Sequence, residues 1–184
     1  MSTERRFLFA IITNIYLTIL FTLISNEVVV LSPMVQKGLW TLSCLTYISS
    51  LYYLVWVGKK YEDNMKMVNY LTVLILFTFV YDLIDIIYGF ENLNEWTTLL
   101  VLPMFILAFM FSFQALKVKS PEISSEFKVI GIVFILNPIF QIIFPLAIAF
   151  TQAFEYVHWK DIFNFPIILS IAYVAIGRAR NGNV

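Results

Sequence analysis

Six long apolar stretches alternate with short polar breaks along the chain: Phe7–Ser25, Leu39–Val57, Met67–Phe90, Trp96–Leu116, Val129–Phe150 and about Trp159–Ile176. A helix that crosses a bilayer needs about 20 mostly apolar residues. Each stretch comes close to that length and ends at charged or turn-forming residues. The pattern therefore predicts an all-α, polytopic integral membrane protein, a six-transmembrane-helix bundle forming a single domain over residues 1–184. The third stretch is long enough to tilt, or to end early near its acidic residues. The first has too long an apolar run for a cleaved signal, and no small-residue cleavage site follows it. The longest breaks, near Gly58–Lys66 and Lys117–Lys128, are too short for a soluble module. Pro121, Ser124 and Ser125 mark the second as a loop.

Polar positions inside the stretches form a second pattern. Asn14, Thr18, Thr22 and Ser25 recur at helical spacing in the first stretch, as do Ser43, Thr46, Ser50 and Tyr53 in the second. Gln141 in the fifth and Asn164 in the sixth reach similar depth. The fourth is nearly devoid of polar atoms between Trp96 and Ser112, which predicts a lipid-facing or oligomer-facing helix. The other five are expected to turn their polar stripes inward around a small cavity. Hydroxyl and amide groups in membrane helices also simply bond neighbouring helices, so the stripes alone do not require a ligand.

The ionisable residues change the picture more. An intramembrane carboxylate is costly and marks a candidate site. Asp82 and Asp85 stand three apart in the third stretch, on one helical face together with Thr78 and Gly89. At 1.5 Å per residue, Asp82 lies roughly 22 Å from the start of its helix, in the outer third of the hydrocarbon core. The competing reading ends the helix there and leaves both carboxylates in headgroup water. Prolines add a further signal: Pro103, Pro138, Pro145 and Pro166 fall within the fourth, fifth and sixth stretches. Each removes a backbone donor, and freed carbonyls in a membrane need protein or water to satisfy them. Broken helices line binding sites in transporters, though a kink that only serves packing has the same signature.

Composition supports the membrane assignment. Hydrophobic residues make up 60% of the chain and charged residues 13%, against roughly 45–50% and 25% in average soluble domains. Twelve Lys and Arg balance twelve Asp and Glu, so no bulk charge attracts a polyanion and a nucleic-acid partner is not expected. Their distribution sets the orientation. Arg5, Arg6, Lys59, Lys60, Lys66, Lys117, Lys119, Lys128, Arg178 and Arg180 fall on one side of the six-span scheme, and only Lys37 and Lys160 on the other. The positive-inside rule then places both termini in the cytoplasm. The location expected is the bacterial cytoplasmic (inner) membrane. Trp40, Trp96 and Trp159 each open a helix on the outer side, which divides the chain into three helical hairpins. A likeness of Asn14 and Thr18 to Asn137 and Gln141 is a faint trace of repetition among them.

The single cysteine, Cys44, and single histidine, His158, exclude an internal disulfide, a Cys–His peptidase dyad, a His-rich metal centre and a zinc protease. Cys44 reads as a packing residue, and His158, with Glu155 and Asp161 nearby, as an exposed loop residue or a sensor of external pH. The function expected is a small transport or channel protein. It moves a polar solute, proton or cation past Asp82 and Asp85, with Asn14, Asn137, Gln141 and Asn164 as neutral ligands. No cofactor is expected. The partners expected are the lipid bilayer, a small polar solute or cation, and a second copy through the fourth helix. Two alternatives remain: a membrane-embedded lipid-modifying or lipid-binding enzyme built on Asp82 and Asp85, and an accessory subunit of a membrane complex.

Overall fold

The apolar stretches are helical over their described lengths, and the helices outrun several of them. A computed structural model describes residues 3–25, 29–62, 65–88, 95–151 and 165–181. It contains α1 (Thr3–Ser25), α2 (Pro33–Tyr61), α3 (Met65–Tyr88), α4 (Glu95–Ala115), α5 (Ser124–Thr151) and α6 (Phe165–Asn181), with no strand among the described residues. Helix α2 starts six residues before Leu39 because Pro33 stands in its first turn, where a missing N–H costs nothing. It runs on through Lys59 and Lys60 because polar residues continue a helix that hydropathy alone would stop. Lys60 folds back over the Trp56 ring at 5.0 Å, and such a cation–π contact holds that last turn.

Four helices contain spans long and apolar enough to cross a membrane: Arg5–Ile24, Pro33–Tyr61, Met65–Ile84 and Ser124–Phe144. Leu100–Ala115 and Phe165–Arg178 are shorter apolar helices. Asn164 and the residues around His158 lie outside the described residues.

The helices pack as a closed ring in chain order. Each contacts the next, α6 returns to α1, and α2 also touches α6 across the ring. Large apolar side chains cover the outside of every helix, among them Tyr16 on α1, Leu76 on α3 and Ile176 on α6. The buried residues include polar ones: Asn14, Thr18, Ser50, Thr78, Ser112, Asn137 and Ser170. A water-soluble fold shows the opposite arrangement. Lipid tails reward this one, because a polar side chain is cheapest where it meets another polar group inside the bundle.

The half of the bundle nearest the basic residues is packed solid. Leu54, Val57, Met67, Leu71, Phe111, Phe127, Ile130 and Val174 fill it. Close backbone approaches tighten the same half. A Cβ on Gly131 of α5 would stand 3.0 Å from the Ser112 carbonyl of α4, and one on Gly58 of α2 would stand 3.0 Å from the Met67 side chain of α3. The helix ends are tied at this face. The Arg178 guanidinium stacks on the Tyr61 ring at 3.8 Å and donates to the Glu122 carbonyl at 3.3 Å. The Glu62 carboxylate accepts the backbone N–H groups of Lys119 and Ser120, each at 3.2 Å. The loop between α4 and α5 is thereby fastened to the end of α2.

Candidate functional site

The other half of the ring is hollow. It encloses a cavity of about 430 Å³ whose lining draws on all six helices. The cavity reaches down to Leu51, Leu74, Ala108 and Phe134, about midway along their helices. Beneath this floor Phe111 packs edge-on against Phe134 at 5.1 Å, and the solid core begins.

The polar wall comes from α1, α2, α3 and α5. Asn14 and Thr18 on α1 are four residues apart and share a face. Ser43 and Tyr47 on α2 repeat that spacing, as do Thr78 and Asp82 on α3, and Asn137 and Gln141 on α5. Two of the hydroxyls are satisfied within their own helices. Thr18 donates to the Asn14 carbonyl at 2.9 Å and Thr78 to the Leu74 carbonyl at 3.0 Å. These two groups therefore need no ligand.

The two asparagines differ. Asn14, 1% exposed, donates its amide N–H groups to the Ser43 carbonyl at 3.0 Å and to Thr46 Oγ1 at 3.1 Å. Because the Ser43 carbonyl can only accept, the nitrogen must face α2 and the oxygen must face away. That oxygen, Asn14 Oδ1, is buried and has no hydrogen-bond partner. Asn137 Oδ1 on α5 is in the same condition, in a side chain 7% exposed. An unsatisfied buried acceptor costs about 1–3 kcal/mol. Two such acceptors belong to side chains that line one cavity, and the buried Trp40 Nε1, a donor, also makes no hydrogen bond there. Acceptors outnumber donors among these unsatisfied atoms.

Asp82 is the one formally charged side chain among the described lining residues, which include no Lys, Arg or His. Tyr47 across the α2–α3 interface lies within electrostatic reach of it. Asp85 follows on the α3 backbone, and its side chain is outside the described set. Of the six residues expected from sequence to form the site, the cavity therefore brings together Asp82, Asn14, Asn137 and Gln141. Asn164 falls outside the described residues. No group of three His, Cys, Asp or Glu side chains converges on a metal-sized space among the described residues.

Three features differ from the sequence expectation. Helix α4 is not only an outward-facing element. Val101, Met104, Phe105 and Ala108 supply an apolar wall of the cavity, while Leu102, Ile106, Met110 and Phe113 form its exposed stripe. An all-apolar helix has no polar stripe to betray an inward face, so periodicity could not show this. The prolines do not break the helices: α4 is continuous through Pro103 and α5 through Pro138 and Pro145, and Pro166 stands in the first described turn of α6. Pro138 and Pro145 still cannot donate to the carbonyls four residues back, at Phe134 and Gln141, and both those residues line the cavity. Finally, aromatic rings line the cavity, which the pattern of polar positions does not show. Phe21 meets Trp40 edge-on at 5.3 Å, and both line the cavity together with Tyr47, Tyr81, Phe105 and Phe144. Cys44 packs in as expected, buried and on the cavity wall.

No protein-family model, curated protein or solved structure matches the chain.

Proposed function

We propose that this chain is a six-span membrane protein with both termini cytoplasmic, and that it binds a small cationic solute in the cavity and carries it across the bilayer. The observation that supports this most is the placement of Asp82 with two unsatisfied amide oxygens in a cavity walled within a single chain. Ten basic residues against two favour the orientation, which opens the hollow half outward and puts the packed half at the cytoplasmic face. The packed floor argues for a carrier that alternates access rather than a standing pore. Helices that move against each other would carry the solute past Leu51, Leu74 and Phe134, as rocking of one part of the bundle against another does in known transporters. The walls belong to one protomer, so the mechanism does not require an oligomer.

In this mechanism Asp82 supplies the compensating charge. A cation entering an apolar environment loses hydration worth many kcal/mol, and a carboxylate already held there restores part of it. Asn14, Asn137 and Gln141 complete the polar shell without adding charge. The test is uptake of labelled cations into proteoliposomes. Asp82→Asn keeps the shape and removes the charge, and is expected to abolish uptake while leaving expression and assembly intact. Asp85→Asn, one turn nearer the headgroups, is expected to cause a smaller loss. Full uptake by Asp82→Asn would remove the carboxylate from the mechanism.

A further inference from the structure

The cavity walls have a chemistry that narrows the solute, on the premise that the cavity is a binding site. A space of about 430 Å³ falls within the 300–1,000 Å³ of pockets that hold organic ligands. It is far larger than a bare metal ion requires. A hard inorganic cation also asks for six or more oxygens around it, and most of this lining is carbon. The side chains of Leu51, Val101, Met104, Phe105, Phe134 and Ile168 offer no oxygen ligand. An inorganic ion would leave that surface unused and its own shell incomplete.

An organic cation uses both parts of the wall. Asp82 offers the countercharge. The rings of Trp40, Tyr47, Tyr81 and Phe144 offer faces that attract cations and edges that pack against an apolar body. The unsatisfied Oδ1 atoms of Asn14 and Asn137 accept hydrogen bonds and cannot give them. The Asn14 oxygen cannot exchange places with its nitrogen while that nitrogen bonds the Ser43 carbonyl. The wall thus calls for a ligand with several N–H donors at its charged end. A protonated amine carries two or three, and a quaternary ammonium carries none. An anion would be repelled by the Asp82 carboxylate, with the Trp40 Nε1–H as the one unsatisfied buried donor among the described side chains against two unsatisfied acceptors.

We infer that the cavity recognises a protonated primary or secondary amine on an apolar, ring-sized body, with Asp82, Asn14 Oδ1 and Asn137 Oδ1 reading its N–H groups. The ammonium end of such a ligand is presented by a free amine and by the ethanolamine headgroup of a lipid.

The test is calorimetric titration of the full chain in phosphatidylcholine nanodiscs, which contain no primary amine. 2-Phenylethylamine is expected to bind. Its N,N,N-trimethyl derivative keeps the charge and the ring but loses every donor, and is expected to bind at least tenfold more weakly. 3-Phenylpropanoate and sodium are expected not to compete. Asp82→Asn is expected to weaken 2-phenylethylamine at least tenfold, and Asn137→Leu several-fold. Equal binding of the trimethyl derivative, binding of the carboxylate, or no binding of 2-phenylethylamine at millimolar concentration would each overturn the inference, and none of these readings depends on a variant folding. Repeating the titration with phosphatidylethanolamine in the nanodisc separates the sources. Loss of 2-phenylethylamine binding there assigns the site to the lipid headgroup, and unchanged binding assigns it to a free amine. The transport reading fails separately. Amine binding without movement into proteoliposomes leaves the site standing and removes the carrier. Asp82-dependent uptake of an inorganic cation without amine binding does the reverse.

Discussion

Asn14 of α1 hands its amide nitrogen to the Ser43 carbonyl of α2 at 3.0 Å and keeps its oxygen buried without a partner. One side chain thus does two things: it joins neighbouring helices and leaves an unsatisfied acceptor buried beside the cavity. The two roles separate by magnitude. A polar contact between membrane helices contributes about 0.6 kcal/mol on average. Asn14→Leu is expected to lower stability by no more than about 1–2 kcal/mol, and to lower affinity for the transported cation by a larger factor. Thermal unfolding in detergent and uptake kinetics on the same preparation check this. A large stability loss with unchanged affinity would make Asn14 a purely structural bond.

The close approach of α4 and α5 predicts intolerance at Gly131. Its Cβ would meet the Ser112 carbonyl at 3.0 Å and the Leu116 side chain at 3.1 Å. The backbone oxygen cannot swing away as a side-chain tip can. Gly131→Val is expected to destabilise by about 1–3 kcal/mol, and Gly131→Ala by less. Since Gly131 belongs to the packed half, surviving protein is expected to keep its KM. Unfolding midpoints and uptake measured together decide the matter; a KM change would place Gly131 in the path of the solute.

Arg178 ties the last helix to α2. Its contribution comes mainly from the Tyr61 ring at 3.8 Å and the Glu122 carbonyl at 3.3 Å. The ion pair to the Glu122 carboxylate, at 3.6 Å, involves a side chain 58% exposed and contributes little. Arg178→Ala is expected to lower stability by about 1–2 kcal/mol. Glu122→Gln is expected to change it by less than half of that. Arg178→Lys is expected to fall between wild type and alanine, because an ammonium cannot lie flat on the ring as a guanidinium does. Denaturation of the variants in detergent tests the order.

The six-span orientation predicts that reporters fused after Asn94 and after Val184 lie on opposite sides of the membrane. It also predicts that Lys160 is labelled from outside and Lys59 is not. Reporters on the same side at both positions would remove the proposed topology and, with it, the outward direction of the cavity.

Much of this molecule was written in the order of its residues. Twenty-residue apolar runs require helices, because a backbone in lipid must satisfy its own hydrogen bonds. The i, i+4 pairs Asn14–Thr18, Thr78–Asp82 and Asn137–Gln141 announce shared faces through the helical period alone, and all six residues line the cavity. Asp82 was legible as a candidate because a carboxylate at that depth is costly wherever it points. Other features depended on which helices become neighbours. The ring closure of α6 onto α1 and the apolar wall from α4 are decided by packing between residues distant in sequence, which periodicity does not encode. The division into a solid half and a hollow half depends on side-chain volumes meeting across the ring, with close contacts at Gly58 and Gly131 in the solid half. The demand for donors follows from a single competition. Ser43 takes the nitrogen of Asn14, and only the folded arrangement of α1 against α2 determines that its oxygen is the atom left over.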